Sequence, residues 1–487
     1  PHDYAHPNTE RYARAKFNAH ANYGTVERIK QIPHRLIMNR RTFHLVSLGC
    51  AKNTVDSNGM AQLLQGDGYL PVSDPDLAGI LLVNTCGFIE PAREESYAVM
   101  RELAQGKKDG QLLIAAGCLT QRYGQEVLEK VPGIDGLLGT RRWMDILQVV
   151  NKLRGSGGPR PLYFLPDVPV VGNDPAGTVG AHIQGASAYL KIADGCRRPC
   201  AFCAIPGIKG TAVSRPRETI LADATYLGSQ GVKEINLIAQ DTTDYGHDLG
   251  EKDGLASLLE DLTASVPNVI WLRILYAYPG YITDRLIDVM AEKDQILPYI
   301  DMPLQHADPE VLRAMRRPAN MGWVTRTVEK LRDRLPDLAL RTTFIVGYPG
   351  ETERSFEMLL DFVKEIHFDR VGVFEYSFEP GTASAELGDP IPKQIKQERL
   401  ERLMITQQGI SLAKNQIQIG KTLDVLVEGK GEVEGSREII SLGRSYRDAP
   451  EIDGMVIVEG DLPEGDIVPV RITGAMAYDL SGVPALD

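Results

Sequence analysis

Six cysteines in 487 residues are too few to staple a fold of this size, and no run of about 20 apolar residues exists to span a membrane. The N-terminus lacks the apolar stretch of a secretory signal, so a cytoplasmic chain is expected, with no membrane partner and with cysteines that bind metal or catalyse. Positive charge is also short. With 53 Lys and Arg against 65 Asp and Glu, the net charge of -12 gives no general nucleic-acid footprint and suits a basic partner better. What is present, 43% hydrophobic and 24% charged residues, is globular composition, at a length that calls for more than one core.

Residues 1–41 hold eight Lys or Arg, three acids and little apolar periodicity, which reads as a basic, disordered extension. From Thr42 the pattern alternates. The apolar runs "FHLVSLGC", "GILLVNTC" and "QLLIAAGC" have the length of buried strands, and helical stretches follow near 54–65, 91–105 and 120–131. With "DGLLGT" and a helix near 141–153 they predict an α/β domain over 42–153 built on a parallel sheet. Twelve Gly or Pro between 155 and 185 mark a linker, taken as 154–185.

Six more strand–helix units follow, with strands at 186–192, 234–240, 269–275, 299–304, 338–347 and 371–377. They predict an open βα barrel over 186–412, because the closed eight-unit form takes about 250 residues. Polar residues gather at its strand carboxyl ends, where such barrels form their sites: Asp194, Gln240, Asp241, Tyr276, Gln305, His306 and Ser377. The remainder, 413–487, reads as a small antiparallel β-barrel of short strands broken by Gly and Pro. Its seven bases and fourteen acids leave -7, the wrong sign for a nucleic-acid module.

The stretch "IADGCRRPCAFCAIPGIKG" sets Cys196, Cys200 and Cys203 at i, i+4 and i+7, with no His before His247. A structural zinc is closed by four ligands. Three thiolates on a four-iron cluster leave one iron open for direct binding. The other three, Cys50, Cys86 and Cys118, each end a predicted strand, 36 and 32 residues apart. Sites in open α/β sheets lie outside the carboxyl ends of the strands, so these three thiols are expected to converge. Six cysteines then form two triads with none left over.

"GCRRPCAFCAIPGIKG" resembles the radical S-adenosylmethionine signature. "SLGCAKNTVDS", "NTCGFIEPAREES" and "AAGCLTQRY" resemble the three-cysteine domain of the methylthiotransferases, and the C-terminal β domain resembles their TRAM module. "DMPLQHADPEVLRAMRR", "TTFIVGYPGETE" and "FEYSFEPGTAS" match as well, so the resemblance covers about 42–480. Within that family the chain is most similar to the RimO-type branch, which modifies an aspartate of the twelfth small-subunit ribosomal protein. The tRNA-modifying MiaB-type branch carries an Arg soon after the second cysteine, where Gly87, Phe88 and Ile89 stand here.

The resemblance implies α/β architecture throughout: a flavodoxin-like first domain, an open (β/α)6 radical barrel and the TRAM barrel. It implies two [4Fe-4S] clusters, one on Cys50, Cys86 and Cys118 and one on Cys196, Cys200 and Cys203 that binds S-adenosylmethionine. Two molecules of S-adenosylmethionine would be used, one as methyl donor and one as radical source. The product would be a methylthio group on the aspartate β-carbon. Phe202, Gln240, Gln305 and Gly347 are the candidate cofactor contacts, although Phe202 could equally anchor its loop. Implied partners are the ribosomal protein, an external electron donor and a sulfur source. The alternatives are methylthiolation of a tRNA adenosine and a non-catalytic zinc or RNA-binding adaptor. Three residues depart from the usual pattern: Ala51 for Pro, Asn58 for Glu and Lys209 for Arg, the last keeping the charge but losing the bidentate fork.

Overall fold

The computed structural model describes residues 41–155, 160–165, 178–432 and 438–485. The basic extension, Arg41 apart, and half of the stretch read as a linker lie outside the described residues.

Six parallel strands build the first sheet: β1 (Thr42–Ser47), β2 (Leu70–Pro71), β3 (Ile80–Thr85), β4 (Leu112–Gly117), β5 (Gly136–Gly139) and β6 (Leu162–Phe164). Their order, β2-β1-β3-β4-β5-β6, begins as the doubly wound flavodoxin-like sheet does. Strands β3 and β4 are buried at every residue, as strands covered on both faces must be. The covering helices are α1 (Ala51–Gly66), α2 (Glu90–Gly106), α3 (Cys118–Tyr123), α4 (Gln125–Lys130) and α5 (Ile146–Arg154). One apolar core forms around Leu82 and Ile114, and the opposite one around Leu81, Val83 and Leu113. The helix expected near 120–131 is two helices, because Gly124 at φ 36 and ψ -100 leaves the helical region between them.

The linker stretch carries two strands that its Gly and Pro content concealed. Strand β6 ends the first sheet, and β7 (Ala181–Gln184) pairs antiparallel with β8 (Ser187–Lys191). Both are sheet edges, the one place where strands tolerate such composition.

A small antiparallel pair, β9 (Ala193–Asp194) and β10 (Val213–Ser214), frames the cysteine loop. The barrel strands continue as β11 (Glu234–Ile238), β12 (Trp271–Ile274), β13 (Ile296–Asp301), β14 (Ala339–Val346) and β15 (Arg370–Glu375). Each pairs parallel with its sequence neighbour from β8 onward, and the sheet runs from β15 to β7 without closing. The helices are α6 (Ile205–Lys209), α7 (Arg217–Ser229), α8 (Gly254–Ser265), α9 (Asp284–Glu292), α10 (Pro309–Ala314), α11 (Met321–Arg334), α12 (Glu353–Ile366) and α13 (Lys393–Gln416). All but α6 and α10 share the largest apolar core with the sheet; Ile208 of α6 and Val311 of α10 pack in smaller clusters of their own.

The last domain is a closed barrel of β16 (Thr422–Glu432), β17 (Ile439–Ser445), β18 (Val456–Glu459), β19 (Ile467–Ala475) and β20 (Leu480–Pro484). Its β18–β20 pairing is parallel and the rest antiparallel. An odd number of strands cannot close a ring with every pair antiparallel, so one such pairing is obligatory. This barrel sits on the foot of the larger one. Leu426 and Ala449 pack with Trp271 and Tyr299, and Arg444 reaches Glu234 at 2.5 Å. No helix among the described residues is long and apolar enough to cross a membrane.

Candidate active site

The three strands that carry the first cysteine triad lie side by side, β1 against β3 and β3 against β4. Cys50 caps α1, Cys86 follows β3 directly, and Cys118 is the first residue of α3. Two glycines allow the loops to touch. A Cβ on Gly49 would come within 2.9 Å of Cys86 Cβ, and one on Gly87 within 2.6 Å of the Leu119 Cα beside Cys118. Each glycine neighbours one cysteine and abuts the next, so the triad is drawn together at one sheet edge. Burial pushes the Cys118 thiol up to about 12 and raises Cys86 as well, with the Cys50 thiol adding to both.

The second triad occupies the loop after β8. The Cys196 N–H donates to the Gly210 carbonyl at 3.0 Å, and the Cys203 N–H to the Cys200 carbonyl at 3.1 Å. Between them, Ala201 donates to Met315 and accepts from Ser384, which ties the loop to two barrel turns. Burial lifts the Cys196 thiol to about 11 and the Cys203 thiol to about 12. Among the described residues no three Cys, His, Asp or Glu side chains close on a single ion. A four-iron cluster takes each thiolate on a different iron and so holds its ligands farther apart.

The two cysteine-bearing segments meet. Cys118 packs against Ala204, the residue after Cys203, and against Ile208. Arg141 donates to the carbonyls of Ile208 at 2.7 Å and Gly207 at 2.9 Å. Beneath this contact Lys191, Lys209, Asp56 and Asp194 form a buried set of two cations and two anions, with Asp56 supplied by α1 and the others by the barrel. Burial opposes the charge on Asp194, but the two lysines overcome it and hold its carboxyl well below the usual range. Lys209 is thus engaged on both sides without an arginine fork. Asn58 donates to the Ala181 carbonyl at 2.7 Å, a bond the carboxylate usual in the family could not give. Ala51 packs against the buried cluster that includes Val55 and Leu275.

The other residues singled out from sequence scatter more. Phe202 packs with Val311, Met315, Tyr348 and Tyr376, which anchors its loop. Gln240 lies two residues beyond β11, with a buried Oε1 that has no hydrogen-bond partner. Gln305, at φ 75, continues the β13–β14 ladder through its own backbone. The Gly347 N–H donates to Glu351 Oε2 at 2.8 Å, and the space beside its Cα is filled by Lys396. His306 is fully buried; its Nδ1 accepts from the Asp308 N–H, which leaves Nε2 facing Glu351 Oε2 at 3.5 Å. Ser377 donates to Glu379.

Several residues escaped the sequence reading. Arg122 of α3 donates to the carbonyls of Gly87 and Phe88 and to Glu379, joining two cysteine loops to the last barrel loop. Lys52, two residues after Cys50, is buried with its Nζ 3.3 Å from the Tyr276 ring centroid. Around the second triad, Arg197 and Arg198 pair with Asp241 and Asp244, and Arg317 lies over Tyr278. The doubled Arg inside "GCRRPC" was the available signal for Arg197 and Arg198; Arg122, Lys52 and Arg317 find partners from 35 to 257 residues away, at no spacing a motif would show.

Three family models match the chain: an uncharacterized protein family, UPF0004, over residues 42–139, the radical SAM superfamily over 190–363, and the TRAM domain over 419–484. Relatives named ribosomal protein uS12 methylthiotransferase RimO include one from Roseiflexus sp. (strain RS-1), 47% identical over 90% of this chain and 96% of its own length. Another, from Chloroflexus aurantiacus, is 47% identical over 90% of this chain and 99% of its own. Among solved structures, the radical S-adenosylmethionine methyltransferase TsrM from Kitasatospora setae, with cobalamin and a [4Fe-4S] cluster bound, superposes with a TM-score of 0.53. It is 15% identical, with 71% of this chain and 77% of that chain covered, which speaks to the fold alone.

Proposed function

The chain belongs to the RimO family of radical S-adenosylmethionine methylthiotransferases, and from that premise we propose that it methylthiolates the β-carbon of an aspartate in ribosomal protein uS12. Two [4Fe-4S] clusters would be held, one by Cys50, Cys86 and Cys118 and one by Cys196, Cys200 and Cys203, with two S-adenosylmethionine molecules consumed. The donor sets fit. Each offers three thiols at a loop edge, and the orphaned Gln240 Oε1 is an acceptor suited to the amino group of S-adenosylmethionine. Loaded in this way, the site supplies a methyl group, a sulfur atom and one-electron chemistry able to open an unreactive C–H bond.

The observation that supports the reading is the seat of Cys118 against Ala204, which sets a residue of the first triad beside the residue that follows the second. A sulfur-bearing centre and a radical-forming centre must act on the same carbon, and transfer over a distance would lose the intermediate to water. The chain's own residues serve that need. The Lys191, Lys209, Asp56 and Asp194 set fills the seam with matched charge and excludes water. Arg122 fixes the Cys86 and Cys118 loops against the barrel rim. Phe202 and Met315 seal the cysteine loop from behind. The -7 charge of the last domain favours a basic protein loop over a phosphate backbone. The test offers the anaerobically reconstituted enzyme uS12 and tRNA in parallel. A methylthio mass increase on uS12 alone is expected; modification of tRNA alone would overturn the substrate assignment.

A further inference from the structure

Arg317 stands immediately beyond α10, at a turn that throws its side chain back over the cysteine loop. Arg316 takes φ 55, its N–H donates to the Arg313 carbonyl at 3.0 Å, and the Arg317 N–H donates to the Leu312 carbonyl at 2.8 Å. These two bonds form the paired turn that ends a helix on a left-handed residue. The same turn offers the Met315 carbonyl to the Ala201 N–H, so the Arg and the loop share one frame. Arg317 is only 9% exposed. Its Nη1 lies 3.7 Å from Cys200 Sγ, Nη2 donates to the Pro303 carbonyl, and its guanidinium is 4.2 Å from the Tyr278 ring centroid. Its Nε is buried with no partner.

The charge around it does not balance. Arg197 and Arg198 are held by Asp241 and Asp244, whereas no carboxylate among the described residues pairs with Arg317. Three guanidinium groups against two carboxylates leave one positive charge in a largely buried pocket. An unpaired buried charge is costly, and a counter-charge brought to the pocket relieves that cost. An oxidised four-iron core of charge 2+ with three thiolates carries a net charge of -1, which matches it.

We propose that Arg317 is a positioning residue that sets the reduction potential of the Cys196, Cys200 and Cys203 centre, through its unpaired charge and its N–H to the Cys200 sulfur. The inference rests on the reading of these three cysteines as a cluster site. In the step it governs, a low-potential one-electron donor is oxidised and the centre goes from net -1 to net -2, with no bond made or broken and no proton moved. A cation beside the sulfurs stabilises the more negative state, and hydrogen bonds to cluster sulfurs raise the potential in the same sense.

The test uses the full chain carrying Cys50→Ala, Cys86→Ala and Cys118→Ala, so that one cluster is observed, reconstituted with iron and sulfide. Dithionite titration with mediators is followed by electron paramagnetic resonance. Arg317→Gln should disfavour the reduced form about tenfold, a fall of about 59 mV for one electron, and Arg317→Lys should recover most of it. An unchanged potential in Arg317→Gln overturns the proposal while the cluster reading stands. If Arg317→Gln takes up no iron, Arg317→Lys decides: loading supports a charge requirement, and failure to load overturns it. Absence of any cluster with Arg317 intact would instead sink the cluster reading itself.

Discussion

Asp56 and Lys209, 153 residues apart in the chain, form a buried ion pair at 3.0 Å across the seam between the first sheet domain and the barrel. Asp56 sits on the helix that Cys50 caps, and Lys209 closes the short helix that follows Cys203. The pair therefore links the two elements that carry the triads. Asp56 also reaches Lys191, and Lys209 reaches Asp194 at 3.0 Å, so each charge has two partners of opposite sign.

Asp56→Ala would leave two buried lysines sharing one aspartate. Removing one member of a buried pair costs about 3–5 kcal/mol, because the remaining charge loses its compensation. Urea unfolding should show a loss of that size with both domains' transitions shifted together. A loss within about 0.5 kcal/mol, the scatter of surface substitutions, would mean that the seam is hydrated and does not hold the triads.

Arg122→Ala removes donors from the Gly87 carbonyl at 2.9 Å, the Phe88 carbonyl at 3.1 Å, Glu379 at 2.8 Å and the Pro380 carbonyl at 2.8 Å. The loops after β3 and β4 lose their tie to the barrel rim, whereas the second triad keeps its own frame. Iron content should fall from about eight per chain toward about four, with the barrel cluster retained. Arg122→Lys should recover little, since a single ammonium cannot replace a planar fork spread over four acceptors. Full iron in Arg122→Ala would refute this role.

Much of this was legible in the sequence because it is written locally. The runs in β3 and β4 are apolar at nearly every position, which only a two-sided cover explains, and the triads stand at strand ends or in one short loop. The (β/α)6 order of the barrel followed from the same reading. Edge strands β6 and β7 were not legible, since three or four residues among Gly and Pro carry no period. Nor were the pairings of Asp56 with Lys209 or of Arg122 with Glu379, because charge complementarity between distant segments leaves no spacing to read. Gly49 and Gly87 were legible as glycines beside cysteines, but their packing role needed the neighbouring loops.

Glu234, at the foot of the barrel, gives a pH dependence. It is fully buried between Arg444 at 2.5 Å and Arg273 at 2.9 Å. Burial alone would raise its carboxyl; the two arginines overcome this and hold it at about 2, below its ordinary 4.5. A depressed folded value means stability that is complete above about pH 4.5 and lost as pH falls toward 2. The contribution is on the order of 3 kcal/mol. Glu234→Gln should be destabilised at neutral pH, with Arg273 left without a carboxylate and Arg444 with Glu428 alone, and should lose the one-proton slope expected of Glu234 below pH 4.5. A variant with the same acid slope would show that another group titrates there.

Cys50→Ala separates the two triads by function. Cys50 caps α1 and lies at the edge of the first sheet, whereas Cys196, Cys200 and Cys203 keep every hydrogen bond of their loop without it. The variant should therefore retain a barrel cluster and still cleave S-adenosylmethionine reductively to 5′-deoxyadenosine, yet attach no methylthio group to uS12. Cys200→Ala should abolish both readouts, because the radical precedes any bond to the substrate carbon. Chromatography of the nucleoside and mass spectrometry of uS12 from one reaction distinguish the two variants. Methylthiolated uS12 from Cys50→Ala would mean that the sulfur does not come through the first triad, and the pairing of Cys118 with Ala204 would then have only a packing role.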